Sequence, residues 1–241
     1  MSKIKLYTFG RKTTNGAWRI NKNRVVNRLY YVNSGTAVIH NTAGEFTLRE
    51  KRFYIIPQCF NFKPLAATDF DHTFFDYYST PILHPDKIYE FSADFCQGAR
   101  FFEYVNALIE NGDNDLIFEG VGELLSGFLS VLLLCGASLS FVENSAVVRA
   151  VEIINNSLSP VTCKSLADGL HLNESYFIRL FHKTMGVSPM KYARACRILY
   201  AKELLSQGMS ASQAAEKCGY TSVTAFYRAV RREGERKPKK D

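Results

Sequence analysis

Leu166 to Lys183 (LADGLHLNESYFIRLFHK) and Ala214 to Arg232 (AAEKCGYTSVTAFYRAVRR) repeat one pattern in the last third of the chain. Each reads as a short helix ending in Leu-His or Cys-Gly, then a turn, then a second helix carrying Phe-x-Arg, at Phe177/Arg179 and at Phe226/Arg228. The spacing predicts N-caps at Asn173 and Thr221, because a short polar side chain satisfies the free backbone N–H groups that open a helix. A helix pair with a short turn offers its second helix to the major groove of DNA. Two such pairs in one chain predict contact with DNA at two places.

Charge is divided along the chain in the same way. Residues 1–140 hold 14 Lys/Arg and 14 Asp/Glu, whereas residues 141–241 hold 16 and 9, so the second part carries the whole net charge of +7. A positive excess confined to one part suits a polyanion, since neutralising phosphates releases condensed counterions. Charge alone fits a soluble basic domain equally well; its coincidence with the repeated motif is what favours DNA.

The rest of the chain narrows the function classes. The N-terminus, MSKIKLYTFGRKT, has no apolar signal stretch, so export is not expected. The most apolar run, Leu124 to Gly136, is about 13 residues against the roughly 20 of a membrane span, and reads as a buried helix. Cys59, Cys96, Cys135, Cys163, Cys196 and Cys218 show no C-x-x-C or metal-ligand spacing, which suits reduced thiols in a cytoplasm.

Five segments in the first 80 residues read as strands: Leu29 to Val32, Thr36 to His40, Glu45 to Leu48, Arg52 to Pro57 and His72 to Tyr78. They are rich in aromatic and β-branched residues and are separated by turn residues. The clearest hairpin turns at Asn41-Thr42-Ala43-Gly44. Beyond Pro85 the period becomes helical, through Ile88, Phe91, Phe95, Phe102, Val105 and Ile109, then through Leu125, Phe128, Leu129, Leu132 and Leu133, with a turn at Asn111-Gly112-Asp113-Asn114. These two helices pack on the sheet and on each other, or turn a second apolar face to another copy of the chain. Small polar residues from Gly136 to Asn144 mark a domain boundary, followed by a helix from about Ser145 to Ser157. The fold expected is a multidomain α+β chain: a β-barrel domain with two packing or dimerisation helices over 1–140, and an all-α domain over 141–241.

The string Phe177-x-Arg179-x-Phe181-x-x-x-x-Gly186-x-Ser188-Pro189-x-x-Tyr192, followed by Arg194-x-x-Arg197-x-x-x-Ala201-x-x-Leu204-Leu205, resembles the AraC/XylS family of bacterial transcription regulators. The resemblance implies two helix-turn-helix units joined by a central helix, here about Ser188 to Gln207. Its residues from Pro189 to Leu205 would span about 26 Å, a suitable strut for two recognition helices set roughly one DNA turn apart. The tail departs from the family. Relatives carry an aromatic at the position of Val230 and a Phe-Gly-x-Ser-Pro ending, whereas this chain ends VRREGERKPKKD. A less stable second unit is therefore expected. The basic residues Arg231, Arg232, Arg236, Lys237, Lys239 and Lys240 would add nonspecific attraction to phosphates.

Helical geometry assigns the expected DNA contacts. Phe177, Leu180 and Phe181 face inward; Glu174, Ser175, Ile178, Arg179 and His182 face the groove, with Lys183 beside them. In the second unit Phe226 and Val230 face inward, and Val223, Thr224, Tyr227, Arg228 and Arg231 outward. Arg179 and Arg228 are the strongest base readers, since a guanidinium bonds O6 and N7 of guanine together. A phosphate contact or a pair with a nearby carboxylate is the alternative for each. Glu174 equally suits the positive end of its helix. Arg194, Lys202 and Arg197 are further phosphate candidates, with Arg197 also placed to brace the central helix against the first unit.

The N-terminal half resembles the cupin-like sensing and dimerisation domain of the same family through Arg28 to His40 and Phe53 to Phe62. That resemblance implies a cupin-like antiparallel barrel and a homodimer formed through the two helices. A small-molecule effector of unknown identity would sit in the barrel mouth, with Trp18, Arg19, Tyr30, His40, Phe53, His72 and Tyr77 as candidates by type and strand position. Only His40 and Glu45 lie near the first metal motif of enzymatic cupins, so no metal, cofactor or catalytic residue is expected. The chain reads as a cytoplasmic DNA-binding regulator, an activator on resemblance, with double-stranded DNA and RNA polymerase as partners and no membrane. The alternatives are an architectural DNA binder of low specificity and a cupin enzyme with an accessory DNA domain.

Overall fold

A computed structural model of the chain describes residues 3–17, 25–41, 43–112, 114–157 and 160–235. The chain forms two compact units, residues 1–20 with 26–141 and residues 21–25 with 142–241.

The first unit is one antiparallel sheet of six strands: β1 (Lys3–Gly16), β2 (Asn27–Asn41), β3 (Gly44–Arg49), β4 (Arg52–Ile56), β5 (Phe62–Thr80) and β6 (Tyr89–Ser92). Their order is β1-β5-β2-β4-β6, with β3 paired to β2. Among the described residues β1 and β6 do not pair, so the sheet is open where a closed barrel was expected. Leu29 to Val32 and Thr36 to His40 belong to one long strand, because β2 keeps pairing with β5 through two register shifts between them. The tight turn after β2 is held by Asn41, whose Oδ1 accepts from the Ala43 N–H at 2.7 Å; Thr42 lies outside the described residues.

Adjacent residues on the central strands enter different cores, as a period of two requires. Leu29, Phe53, Ile55, Phe75 and Tyr77 face one cluster. Tyr30, Tyr54, Ile56 and Phe70 face the other. Burial on both faces makes these strands read as continuous apolar runs. Arg28 and Asp76, opposite each other on β2 and β5, form a nearly buried ion pair at 3.2 Å. Burial pushes the Asp76 carboxyl up while Arg28 holds it down.

Two helices cover the first of these faces, α1 (Gly98–Asn111) and α2 (Asn114–Leu134). The helical period expected from Ile88 begins later than the sequence implied. Tyr89–Ser92 is β6, paired with β4, and a single 3-10 turn (Phe95–Gln97) leads into α1. Phe101 of α1 stacks on Phe128 of α2 with centroids 4.2 Å apart, and Phe102 stacks on Tyr31 of β2 at 4.4 Å. On α2, Val121, Leu125, Phe128, Leu129 and Leu132 are buried. The opposite stripe is not: Leu124 is 36%, Val131 45% and Leu134 86% exposed. The expectation of a buried helix is thus corrected. Ile117–Leu134 is long and apolar enough by composition to cross a membrane, and only 28% of it is buried.

The second unit is helical: α3 (Ser145–Asn156), α4 (Cys163–Gly169), α5 (Glu174–Met185), α6 (Pro189–Ser206), α7 (Ala211–Lys217) and α8 (Val223–Glu235). Asn144, Thr162, Asn173, Ser188 and Ser210 cap the first five of these through their side chains. Pro189 at the first position of α6 costs nothing, since its missing N–H would have no helical partner.

Candidate nucleic-acid interface

In the first helix-turn-helix unit, α4 packs on α5 through Leu166 and Ala167, both almost wholly buried. The turn between them passes through His171 at φ 56°, and the Leu172 N–H returns to the Ala167 carbonyl at 2.9 Å. Asn173 Oδ1 then accepts from the N–H groups of Ser175 (3.0 Å) and Tyr176 (3.2 Å) and starts α5. Phe177 and Phe181 are fully buried and meet edge to face with centroids 5.9 Å apart. Phe181 continues onto Tyr192 of α6 at 5.7 Å. With that side committed to the core, Glu174, Ser175, Arg179, His182 and Lys183 are exposed and Ile178 is half-buried. Leu180, expected inside, is only half-buried.

The second unit repeats the plan with a turn one residue longer. The Tyr220 N–H returns to the Ala215 carbonyl at 2.9 Å, as Leu172 does to Ala167. Gly219, at φ 67°, occupies the place of His171. The cap is Ser222, not Thr221: Ser222 Oγ accepts from the Ala225 N–H at 3.2 Å and its carbonyl from the Phe226 N–H at 3.0 Å. This correction puts Arg179 and Arg228 at the same step, six residues past Asn173 and Ser222 respectively. Phe226 is buried against Tyr220 at 5.5 Å, and Val230 packs at the edge of that cluster. Thr224, Tyr227, Arg228 and Arg231 are exposed, and Val223 is half-buried.

Both recognition helices therefore present an outward guanidinium. Among the described residues neither Arg179 nor Arg228 has a carboxylate or hydrogen-bond partner, which leaves the cations available to an anion. Glu174 stands in the first turn of α5 and His182 with Lys183 in the last, each with the sign that the helix dipole favours. Tyr176, 48% exposed on α5, joins the outward face although an aromatic next to Phe177 has the pattern of core. Arg197 braces α6 against the second unit instead of the first. Its guanidinium lies over the Tyr220 ring at 5.2 Å, and the Cys218 thiol donates to its carbonyl at 4.0 Å. Arg236, Lys237, Lys239 and Lys240 lie outside the described residues.

Among the described residues, the candidate effector residues are not gathered around one cavity. Trp18 and Arg19 lie outside the described residues, and His40 is exposed. Phe53 and Tyr77 are buried in the core beneath the helices, whereas Tyr30 is buried in the other core. His72 stacks on Phe70 at 4.3 Å and touches the edge of Tyr30; burial pushes its imidazole down to about 4, so it is neutral at pH 7. These side chains fill the cores because strands buried on both faces leave little room for a pocket. A groove of about 490 Å³ does open between β1 and α2, lined by Ile4, Leu6, Phe118, Glu119, Gly122, Glu123 and Ser126. Among the described residues no three His, Cys, Asp or Glu side chains form a group that could hold a metal ion. All six cysteines are free thiols.

Residues 166–240 match the family described as "Helix-turn-helix domain". These residues are thus a helix-turn-helix domain, similar in sequence to part of a transcriptional regulator. Among its relatives, the HTH-type transcriptional regulator AlkR of Acinetobacter baylyi is 37% identical over 81 residues, 33% of this chain and 26% of that protein. The probable transcriptional regulator LumQ of Photobacterium leiognathi is 27% identical over 149 residues, 57% of this chain and 58% of that one. The chain thus spans about a quarter and somewhat over half of the lengths of these two relatives. ToxT from Vibrio cholerae O395 shares the fold at a TM-score of 0.58 and 14% identity, over 98% of this chain and 94% of that one. ToxT of strain SCE256 with a bound unsaturated fatty acid has a TM-score of 0.57 at 13% identity, over 98% and 92% of the two chains. These likenesses support an N-terminal antiparallel sheet domain followed by a helical helix-turn-helix domain.

Proposed function

We propose that the chain is a sequence-specific DNA-binding transcription regulator that reads two neighbouring stretches of major groove, one with α5 and one with α8. The observation that carries this reading is the equivalence of Arg179 and Arg228. Both are exposed, both stand six residues past a helix cap, and neither has a carboxylate partner among the described residues. In this reading each bonds a guanine edge. Ser175, Thr224 and Tyr227 lie on the same faces and supply further polar contacts, while Ile178 and Val223 supply apolar ones. Glu174 stands at the groove end of α5, and His182, Lys183 and Arg231 stand where backbone phosphates pass. The test is selection of bound sequences from a random DNA pool at physiological salt. Enrichment of two short blocks about one helical turn apart is expected; uniform binding to all sequences would replace this reading with an architectural one.

In this reading the first unit regulates the second in a homodimer that acts in the cytoplasm. The dimer is supported by the outward stripe of α2. Gly120, Leu124, Gly127, Val131 and Leu134 follow 4-3-4-3 spacing, are all exposed, and carry no charge. Leu124→Glu with Val131→Glu is expected to convert a dimer into a monomer in sedimentation, and a wild type already monomeric would exclude the interface. The effector is a small apolar or sugar-like molecule seated between β1 and α2, in a groove whose lining is part apolar and part polar. Glu119 and Glu123 make that groove a poor seat for a carboxylate, unlike the fatty acid bound by ToxT. Activation, with RNA polymerase as partner, rests on the resemblance to the AraC/XylS family and is tested with a reporter behind the selected operator.

A further inference from the structure

Reading two half-sites requires the recognition helices to keep one separation. A slip of one base pair moves a half-site by about 3.4 Å along the axis and turns it by about a tenth of a turn. Helix α6 spans both units, and the fully buried part of the second unit's seat on it is made mostly of small side chains. Ala201, Ala214, Ala215 and Cys218 make up most of its buried cluster, with Leu204 and Phe226. Around them Tyr200, Leu205, Met209, Tyr220, Val223 and Val230 are only partly buried, so the larger side chains of this seat sit at its rim.

A second contact joins the units away from α6. The turn of the second unit passes Gly219 against Pro160, which lies in the connection from α3 to α4, ahead of the first unit. A Cβ at Gly219 would stand 2.5 Å from Cδ and 2.7 Å from Cγ of Pro160. The turn itself does not demand glycine. The equivalent residue of the first unit is His171, which adopts φ 56° with a full side chain and is exposed, whereas Gly219 has φ 67°. The internal repeat thus provides its own control: what excludes a side chain at 219 is the pyrrolidine ring of Pro160. Arg197, reaching from α6 over Tyr220, holds the neighbouring residue of the same turn.

We propose that Pro160 and Gly219 form a strut between the two helix-turn-helix units, and that this strut sets the spacing of the two half-sites. The inference rests on the DNA-reading function proposed above. Pro160→Ala removes the ring and leaves the Gly219 turn untouched. Against the selected operator and the same operator lengthened by one base pair, the wild type should discriminate by about tenfold or more. Pro160→Ala should fall below about threefold while binding an isolated first half-site as the wild type does. An unchanged ratio overturns the strut. A readout without DNA separates the two claims: nitroxides introduced as a genetically encoded amino acid at Ser175 and Thr224, with their distance measured by pulsed electron resonance. The wild type should give a narrow distribution and Pro160→Ala a broad one. Equal widths overturn the strut whatever the DNA result, whereas a broadened variant beside a wild type without sequence preference would overturn the DNA reading alone. Gly219→Ala should act in the same direction as Pro160→Ala.

Discussion

In the first helix-turn-helix unit, three aromatic rings form a continuous path from α5 into α6: Phe177 to Phe181 at 5.9 Å, and Phe181 to Tyr192 at 5.7 Å. The Tyr192 hydroxyl accepts from Asn155 of α3 at 3.0 Å, so a third helix buttresses the pair. In the second unit the place of Phe181 is taken by Val230, only partly buried, and α7 meets α6 through alanines and a cysteine. The two backbones follow nearly one plan, with equivalent turn hydrogen bonds and equivalently placed arginines. Turn chemistry and capping are therefore sufficient to draw a helix-turn-helix, while the side chains beneath decide how firmly it is held. The first unit is an anchored reader; the second depends on Phe226, Tyr220 and its contacts with Arg197 and Pro160.

The largest expected difference is in stability. Phe181→Ala should cost about 3–5 kcal/mol, the usual loss for a fully buried phenylalanine. Val230→Ala should cost only about 1 kcal/mol, since fewer buried methyl groups are removed. Chemical denaturation of both variants checks this, and equal losses would break the comparison. At the DNA surface the two units should behave alike: Arg179→Ala and Arg228→Ala should each lose about 1–3 kcal/mol at a single base position, in different blocks of the operator. A loss spread evenly over all sequences would make either residue a phosphate ligand. Val230→Phe should sharpen the contrast by removing it, adding about 1 kcal/mol and raising hydrogen-exchange protection in α8; protection that falls instead would mean the second core has no room for a ring.

The smallest effect is a pH dependence stronger in the second unit, where the thiol is fully buried. Burial pushes the Cys218 thiol up from its ordinary value of 9.0, with Arg197 opposing, and burial likewise raises Tyr220. An acid whose folded value is raised ionises first in the unfolded chain. Its contribution is fully present below the ordinary thiol value and is lost as pH rises through it towards the folded value. The equivalent residue of the first unit is Leu170, which cannot titrate, and Cys163, also raised by burial, is half-exposed. Raising the pH past 9 should thus loosen α7 and α8 before α4 and α5 in hydrogen exchange, and Cys218→Ala should flatten that dependence. Simultaneous loosening of both units would show that the thiol is not the cause.

Legibility in the sequence followed the range of the interactions. Inward Phe177, Phe181 and Phe226 and outward Arg179 and Arg228 were readable because helical periodicity and caps act over three or four residues. Sequence alone does not separate Thr221 from Ser222 as the cap, since both types cap well and only the turn hydrogen bonds choose Ser222. Strand β1 is not legible: KIKLYTFGRKTTNG alternates weakly, and what makes it a strand is pairing with β5, a distant part of the chain. Phe91 fits a helical period by chance, while pairing of β6 with β4 places it in the sheet.

By itself the sequence determined that the last hundred residues form two capped helix-turn-helix units carrying the positive charge, because caps, periodicity and composition are local properties. Tertiary structure alone decided the rest: that the sheet stays open among the described residues, that Tyr30 on one side and Phe53 with Tyr77 on the other fill two separate cores, that α2 keeps an apolar face outside, that Arg197 holds the second unit, and that Pro160 excludes a side chain at position 219. Each of these depends on which distant surfaces meet, and no local pattern encodes a meeting between residues 59 positions apart in the chain, as Pro160 and Gly219 are.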